Sequence, residues 1–328
     1  MSEKNNTVSL AVTSSPHIRS EETTTKIMWT VTLCLIPSGL VSVYAFGISV
    51  LSIILTSIAC ALASEWLFSC FLQKKKNSLS DGSAVLTGLL LAYNLPAGAP
   101  LWMAGLGSFA AIVFGKVVFG GLGFNIFNPA LIGRVFLMAS FPVLMTRWPA
   151  PFKLDAITAP TPLAVFKDGF SQANILNPSE IIHYSYQDLF LGLRGGCIGE
   201  ASVLALLIGA IYLIYKKYIS WKLPVSFIAT VGIFAWVFGA HDLFSGDFVL
   251  HIFSGGLILG AFYMATDYVT GPVTIKGQVI FGIGCGLITS IIRLWGGYPE
   301  GVSYSILLMN MVTPLIDRFV KPKRFGDN

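Results

Sequence analysis

Apolar residues in this chain come in long runs broken by short polar stretches, and the length of those runs sets the expected architecture. A run near twenty residues is what a helix needs to cross ~30 Å of hydrocarbon. Ten runs can be drawn, over 27–46, 47–72, 83–95, 101–119, 129–145, 201–218, 223–239, 249–266, 273–295 and 303–320. The third is too short to cross unaided. It ends in Tyr93-Asn94-Leu95-Pro96-Ala97-Gly98-Ala99-Pro100, which reads as a broken helix followed by irregular backbone. Backbone of that kind is tolerated at membrane depth only where protein surrounds it or it lines a cavity. The expected fold class is an all-α polytopic membrane protein.

The second half of the sequence repeats the interruption. The stretch from Gly88 through Asn94 and Gly98 to Pro100 lines up with the stretch from Gly260 through Asp267 and Gly271 to Pro272, and Phe119-Gly120-Gly121 lines up with Trp295-Gly296-Gly297. Such self-similarity predicts a duplicated chain. Each half holds five spans, an odd number, so the copies are expected upside down relative to each other: about ten transmembrane helices as two inverted five-helix repeats, with broken helices meeting near the midplane. The alternative is chance similarity among glycine-rich spans.

Charge orients the spans. One set of tails and loops collects Lys4, Arg19, Lys26, Lys74, Lys75, Lys76, Lys216, Lys217, Lys222, Lys276, Arg318, Lys321, Lys323 and Arg324, and the other only Arg147, Lys153, Lys167 and Arg194. Basic loops stay inside, which predicts cytoplasmic termini and an extracytoplasmic loop between the halves. The divisions expected are a cytoplasmic tail over 1–26, a first membrane repeat over 27–145, an extracytoplasmic loop over 146–199, a second repeat over 200–320 and a cytoplasmic tail over 321–328. Residues 1–22 lack an apolar core and are not a secretory signal. With 54% hydrophobic and 11% charged residues and a formal net charge of +5, the basic residues answer lipid headgroups and topology, not nucleic acid.

Candidate chemistry is sparse. Cys34, Cys60, Cys70, Cys197 and Cys285 show no CxxC spacing, four of them lie in apolar runs, and the four histidines form no motif, so no metal site is expected. Glu65, Lys116, Arg134, Glu200, Asp267, Arg293 and Asp317 fall within or at the ends of the spans. An ionisable group at that depth is a functional candidate, with an interior ion pair or a snorkelling end as its alternative. Asp267 is expected at the second break, opposite Asn94, as an ion-pathway or second-cofactor contact. Arg134 is expected to pair with a carboxylate or a phosphate. Arg194-Gly195-Gly196-Cys197-Ile198-Gly199-Glu200 reads either as a turn offering backbone N–H groups to an anion or as a plain loop into the sixth span. Neither GxGxxG nor GxxxxGK[ST] occurs, which argues against nucleotide binding.

The inter-half loop carries the sharpest local signal. Thr161 stands between Pro160 and Pro162, which fix an extended, stiff track and are expected to present its hydroxyl to solvent. Otherwise Thr161 is a helix N-cap, with Pro162 the first residue of a helix over 163–167. A further short helix is expected within 178–193. The pattern Asp155-x-x-Thr158-x-x-Thr161, followed by Pro162-Leu163, resembles the flavin-attachment site of membrane proteins from two related complexes. These are the RnfD component of the Rnf electron-transport complex and the NqrB component of the sodium-pumping NADH:quinone reductase. The middle pair is Ala159-Pro160 here, where those families usually have Gly-Ala. The stretches from Gly120 to Arg134 and from Met264 to Pro272 also resemble RnfD, and the compact length and short tail favour it over its quinone-reductase counterpart.

What the resemblance implies is specific. The last threonine of the motif, Thr161, would carry FMN through a phosphoester bond, with Thr158 as the second candidate, and a further noncovalent flavin would lie between the repeats. The chain would be an electron-carrier subunit of an ion-translocating ferredoxin:NAD oxidoreductase in the cell membrane. Its partners would be the other membrane subunits of the Rnf complex, its peripheral flavin and iron–sulfur subunits, membrane lipid and, in maturation, a flavin transferase. The resemblance also keeps open the NqrB component of the quinone reductase, and the architecture alone keeps open a non-redox channel or transporter.

Overall fold

The computed structural model describes residues 22–68, 78–149, 151–152, 161–171, 185–192, 195–240, 242–298 and 300–322. Among these the regular structure is helical, apart from one antiparallel bridge between Pro96 and Cys197. The helices are α1 (Thr24–Phe46), α2 (Ser49–Phe68), α3 (Ser83–Tyr93), α4 (Leu101–Ile112), α5 (Pro129–Ser140), α6 (Pro142–Met145), α7 (Pro162–Ser171), α8 (Tyr186–Leu191), α9 (Val203–Tyr215), α10 (Lys222–Phe238), α11 (Phe248–Phe253), α12 (Leu257–Leu259), α13 (Ile275–Trp295) and α14 (Val302–Phe319). Wider π-helical turns extend α4 over Val113–Val117 and α12 over Gly260–Met264.

Three of them, α1, α2 and α13, are long and apolar enough to cross a membrane, and shorter apolar helices pack with them. The helices are turned inside out relative to those of a water-soluble protein. Leu40, Tyr44, Tyr215 and Val273 point outward, whereas Ser38, Ser42, Ser57 and Ser108 are fully buried. Only a hydrocarbon solvent favours that exchange, so this is an integral membrane protein. Inside, serine hydroxyls satisfy themselves on neighbouring backbone or on one another: Ser57 donates to Gly88 O at 2.7 Å and shares a 2.8 Å bond with Ser108.

The ends of the elements follow from their residues. Thr23, Asn128, Ser202 and Thr274 cap α1, α5, α9 and α13, each accepting from a backbone N–H of the first turn. Pro129 and Pro142 occupy first helical positions, and Pro142 splits the expected 129–145 span at Phe141, since proline cannot donate to the preceding turn. The third span is a half-helix, as expected: α3 stops at Tyr93 and non-helical chain runs on to Pro100. The expected 249–266 span is interrupted too. It is broken at Ser254-Gly255-Gly256, where Gly255 takes φ +66, so one apolar run becomes α11 and then α12 with its π turn.

The end of the molecule where α1 begins is called basal here, and the opposite end distal. Helices α1 and α9 run antiparallel. Ser38 and Ser42, toward the distal end of α1, donate to Gly199 O and Ile198 O just before α9, while Tyr218 just after α9 donates to Glu22 at the basal end, at 2.6 Å. The Tyr218 O–H and then the Lys26 ammonium hold the Glu22 carboxyl below the ordinary carboxylate range.

The two halves share four details. Tyr93 on α3 donates to Leu35 O on α1 at 2.7 Å, and Tyr263 on the π turn donates to Leu206 O on α9 at 2.8 Å. Gly39 faces the Tyr93 hydroxyl as Gly209 faces that of Tyr263. Lys116, near the end of the α4 segment, donates to Ser83 at 2.5 Å, and Arg293, near the end of α13, donates to Ser254 O at 3.1 Å. Helix α2 packs on α4 as α10 packs on α13.

Glycines bring these helices into backbone contact. A Cβ on Gly133 of α5 would stand 2.6 Å from Gly107 O of α4, and one on Gly286 of α13 would stand 2.5 Å from the Thr230 Cβ of α10. Small residues at helix crossings are the usual means of association in membranes. Gly286→Leu is expected to destabilise the protein by about 1–3 kcal/mol through overpacking, read as a lower unfolding temperature in detergent. An exposed exchange such as Leu40→Ala should leave that temperature nearly unchanged.

Candidate functional site

Three places in the bundle collect the residues that the sequence singles out. The first is distal. Thr161 is the N-cap of α7: its Oγ1 accepts the Ala164 N–H at 3.2 Å, with Pro162 as the first helical residue. The side chain is buried, at 4% exposure, which corrects the expectation of a solvent-presented hydroxyl. The physical reason lies downstream of the two prolines, where α7 docks on the second half. Leu163 packs over Gly255, Phe166 meets the His251 ring edge-on at 4.8 Å, and Lys167 donates to Gly296 O and to Tyr298 O. Asp155, Thr158, Ala159 and Pro160 lie outside the described residues.

Packed on α11 and α9, α8 fulfils the expectation of a short helix within 178–193, and Tyr186 donates to Asp247 at 2.8 Å. The carboxylate that accepts its O–H holds the Tyr186 phenol above its ordinary range.

The second place is central. Helix α3 ends at Asn94 and the π turn after α12 ends at Met264, and these ends touch, with Asn94 Nδ2 3.7 Å from Met264 Sδ. Asp267, expected opposite Asn94, is not there. It lies three residues beyond the helix end and folds back on its own loop, accepting from Val269 N–H at 3.4 Å and from the Thr270 hydroxyl at 3.2 Å. The residue beside Asn94 is Arg134. Its Nη1 donates to Asn94 Oδ1 at 2.5 Å and its Nη2 to Glu300 Oε2 at 2.6 Å, with the guanidinium almost fully buried. Of the two partners expected for Arg134, the structure supplies the carboxylate.

Cys197, Glu200 and Glu300 converge beside this pair, their sulfur and carboxylate oxygens within 4.8 Å of one another. The Arg134 guanidinium already supplies positive charge to Glu300. The turn into Glu200 behaves as a plain loop, because the Ile198 N–H is taken by Leu95 O at 2.9 Å and a buried carboxylate occupies the end where an anion would sit. Arg293 holds the second interruption, donating to His251 O at 2.6 Å and Ser254 O at 3.1 Å.

The third place is basal, an open cleft between the halves. Thr87, Asn125, Asn128, Tyr218, Thr266 and Asp267 are among its lining residues, set in mainly apolar walls. Asn125 Oδ1 is buried with no protein partner, while its Nδ2 donates to Phe127 O at 3.2 Å. Lys116 closes one side, its ammonium 2.6 Å from Glu65 and the side chains of both 3% exposed or less. The interior ion pair expected as one alternative for Lys116 is what the structure holds.

Of the polar residues picked from sequence, Arg134 and Glu200 meet at the centre, Lys116 and Asp267 share the basal cleft, and Asp317 accepts from Val273 N–H at 3.2 Å near the basal surface. Glu300 was missed. It lies in a loop outside every apolar run, and no spacing marks it as the partner of an arginine 166 residues away.

A family model described as the NQR2, RnfD, RnfE family matches residues 11–326. The chain is 51% identical over 322 residues, 96% of each chain, to the D subunit of the proton-translocating ferredoxin:NAD(+) oxidoreductase complex of Clostridium ljungdahlii. It is 49% identical over 323 residues, 98% of this chain and 96% of the relative, to the D subunit of the Na(+)-translocating ferredoxin:NAD(+) oxidoreductase complex of Acetobacterium woodii. With the D subunit of the ion-translocating oxidoreductase complex of Stutzerimonas stutzeri it shares 39% identity over 326 residues, 92% of each chain.

The cleft wall yields a direct test. Lys116→Met leaves Glu65 buried without its ammonium and is expected to cost about 3–5 kcal/mol. Replacing both, as Lys116→Met with Glu65→Leu, should restore most of the loss in a thermal-unfolding measurement.

Proposed function

The chain belongs to the NQR2, RnfD, RnfE family, and on that premise we propose that it is the membrane electron-carrier subunit of an ion-translocating ferredoxin:NAD oxidoreductase, bearing FMN esterified to Thr161. Relatives near 50% identical over almost their whole length are named as the D subunit of such a complex, which supports this complex over the quinone reductase. The other subunits of that complex are its partners.

Architecture follows the same proposal. The antiparallel α1 and α9, the paired Tyr93 and Tyr263 contacts and the paired Lys116 and Arg293 anchors support two inverted five-helix repeats over 27–145 and 200–320, joined by an extracytoplasmic loop over 146–199. The basal end, which carries Lys26, Lys216, Lys217 and Lys222, is then cytoplasmic, as are the tails over 1–26 and 321–328. Thr161 lies at the distal, outer end.

One observation carries the assignment of Thr161: its oxygen sits at the N-terminus of a docked ten-residue helix. A phosphoester on that oxygen would place its negative charge where the helix dipole is positive and the Ala164 N–H points. The residues present therefore fit the group. Because the hydroxyl is buried as the cap, the transferase must meet α7 with its first turn opened, and afterwards an ester oxygen can resume the cap. The flavin supplies one- and two-electron transfer when bound, while this chain supplies the anchor and the seat.

The basal cleft is the proposed seat of the second, noncovalent flavin. It lies between the halves, its walls are mainly apolar, and a few polar side chains, Asn125, Asn128, Thr266 and Asp267 among them, line it as they line a cofactor site.

Wild-type protein from cells that contain the transferase should give a fluorescent band on a denaturing gel under ultraviolet light, and Thr161→Val a dark one. A dark wild-type band sinks the proposal, and fluorescence lost only in Thr158→Val moves the bond to that threonine. Vesicles of the complex given reduced ferredoxin and NAD should accumulate Na+ or acidify. Omitting Na+ separates the two, and failure to do either would remove the ion-translocating assignment.

A further inference from the structure

We infer that Arg134 is a tethered cation occupying the position a transported cation would take, and that it seals this chain against mobile cations at rest. This goes beyond the carrier assignment and is independent of where the flavins sit. Two interrupted helices meet at Asn94 and Met264 by their C-terminal ends. Helix C-termini are the negative ends of their dipoles, and unwound carbonyls at such ends are where membrane transporters hold Na+ or H+. A bare junction of this kind would draw a cation from the basal cleft, whose walls include Leu90 and Asn128 and which carries the Asp267 carboxylate.

The structure leaves no such opening at four carbonyls at or just past these helix ends. Asn94 Nδ2 covers Leu90 O at 2.6 Å, the Cys197 thiol lies 3.5 Å from Asn94 O, Ile198 N–H covers Leu95 O at 2.9 Å, and Asn128 Nδ2 covers Met264 O at 3.2 Å. A further acceptor at the break, Asn94 Oδ1, takes the Arg134 guanidinium. Guanidinium does not lose its proton in proteins, so this charge is permanent. Glu300 holds it from the distal side. A second cation approaching through the cleft finds this acceptor already held by a fixed guanidinium, the way a pore-lining arginine excludes cations, with Glu300 and the nearby Glu200 balancing the charge in place.

The test uses the full-length protein in sealed vesicles, with no electron donor, following passive loss of radioactive sodium and of a pH gradient. Glu300→Gln keeps the positive charge, so those vesicles should stay as tight as wild type. Arg134→Gln combined with Glu300→Gln removes the charge together with the carboxylate bonded to it, and should raise the leak about tenfold or more. A merely structural ion pair predicts the reverse order, because the single variant breaks the bonded pair and the double variant removes it whole. Double-variant vesicles as tight as wild type would overturn the inference, as would a Glu300→Gln leak equal to or faster than that of the double variant.

Discussion

A guanidinium shared between an amide oxygen and a carboxylate, where two interrupted helices end, is the contact on which the membrane-embedded part of this chain depends. Arg134 comes from α5, Asn94 from the end of α3 and Glu300 from the loop before α14, so one side chain joins elements on both sides of the chain's midpoint. Breaking a buried pair of this kind by removing one partner costs about 3–5 kcal/mol. Neighbouring bonds reinforce it, with Asn128 reaching Met264 O and Ile198 reaching Leu95 O across the same seam. Polar groups this deep tolerate few arrangements, because hydrocarbon offers no substitute partner.

Around that seam the rest is arranged in two directions. Distally, α7 is seated by Leu163, Phe166 and Lys167 on the ends of α11 and α13, which brings the Thr161 cap against the second half. Basally, the halves diverge into a cleft walled by α1, α3 and the chain around Asp267. The Lys116–Glu65 pair stands on one side of the cleft, and its ammonium also ties the start of α3. Each place has its own support, and the central pair stands between them.

Most of the helices were legible in the sequence, because run length answers one overriding cost, that of exposing backbone and charge to hydrocarbon. The half-helix ending at Asn94 was legible for the same reason, since Pro96 and Pro100 follow a run too short to cross. The break at Ser254-Gly255-Gly256 was not, as two glycines inside an apolar run are common in membrane helices and only Gly255's positive φ turns them into an interruption. Asp267 and Thr161 mark two further limits. A linear match near Asn94 could place Asp267 at the break but not register that three residues carry it past the helix end. Two flanking prolines could fix the Thr161 backbone but not foresee that α7 docks and buries the cap. Glu300 shows the plainest limit, since its meaning comes only from the arginine that folding brings to it.

The proposed division of labour has a physical logic in the difference between the charges involved. An ion moves only where a continuous row of ligands replaces its water, so a single fixed arginine at a narrow seam stops it. An electron crosses packed protein without any opening, so the same seam is no obstacle when a carrier stands on each side of it. A chain that seats one redox group distally and another basally can therefore be electronically conductive and ionically closed at once. In such a chain the packed, arginine-filled centre is what keeps electron flow from being short-circuited by the ion gradient that the complex builds.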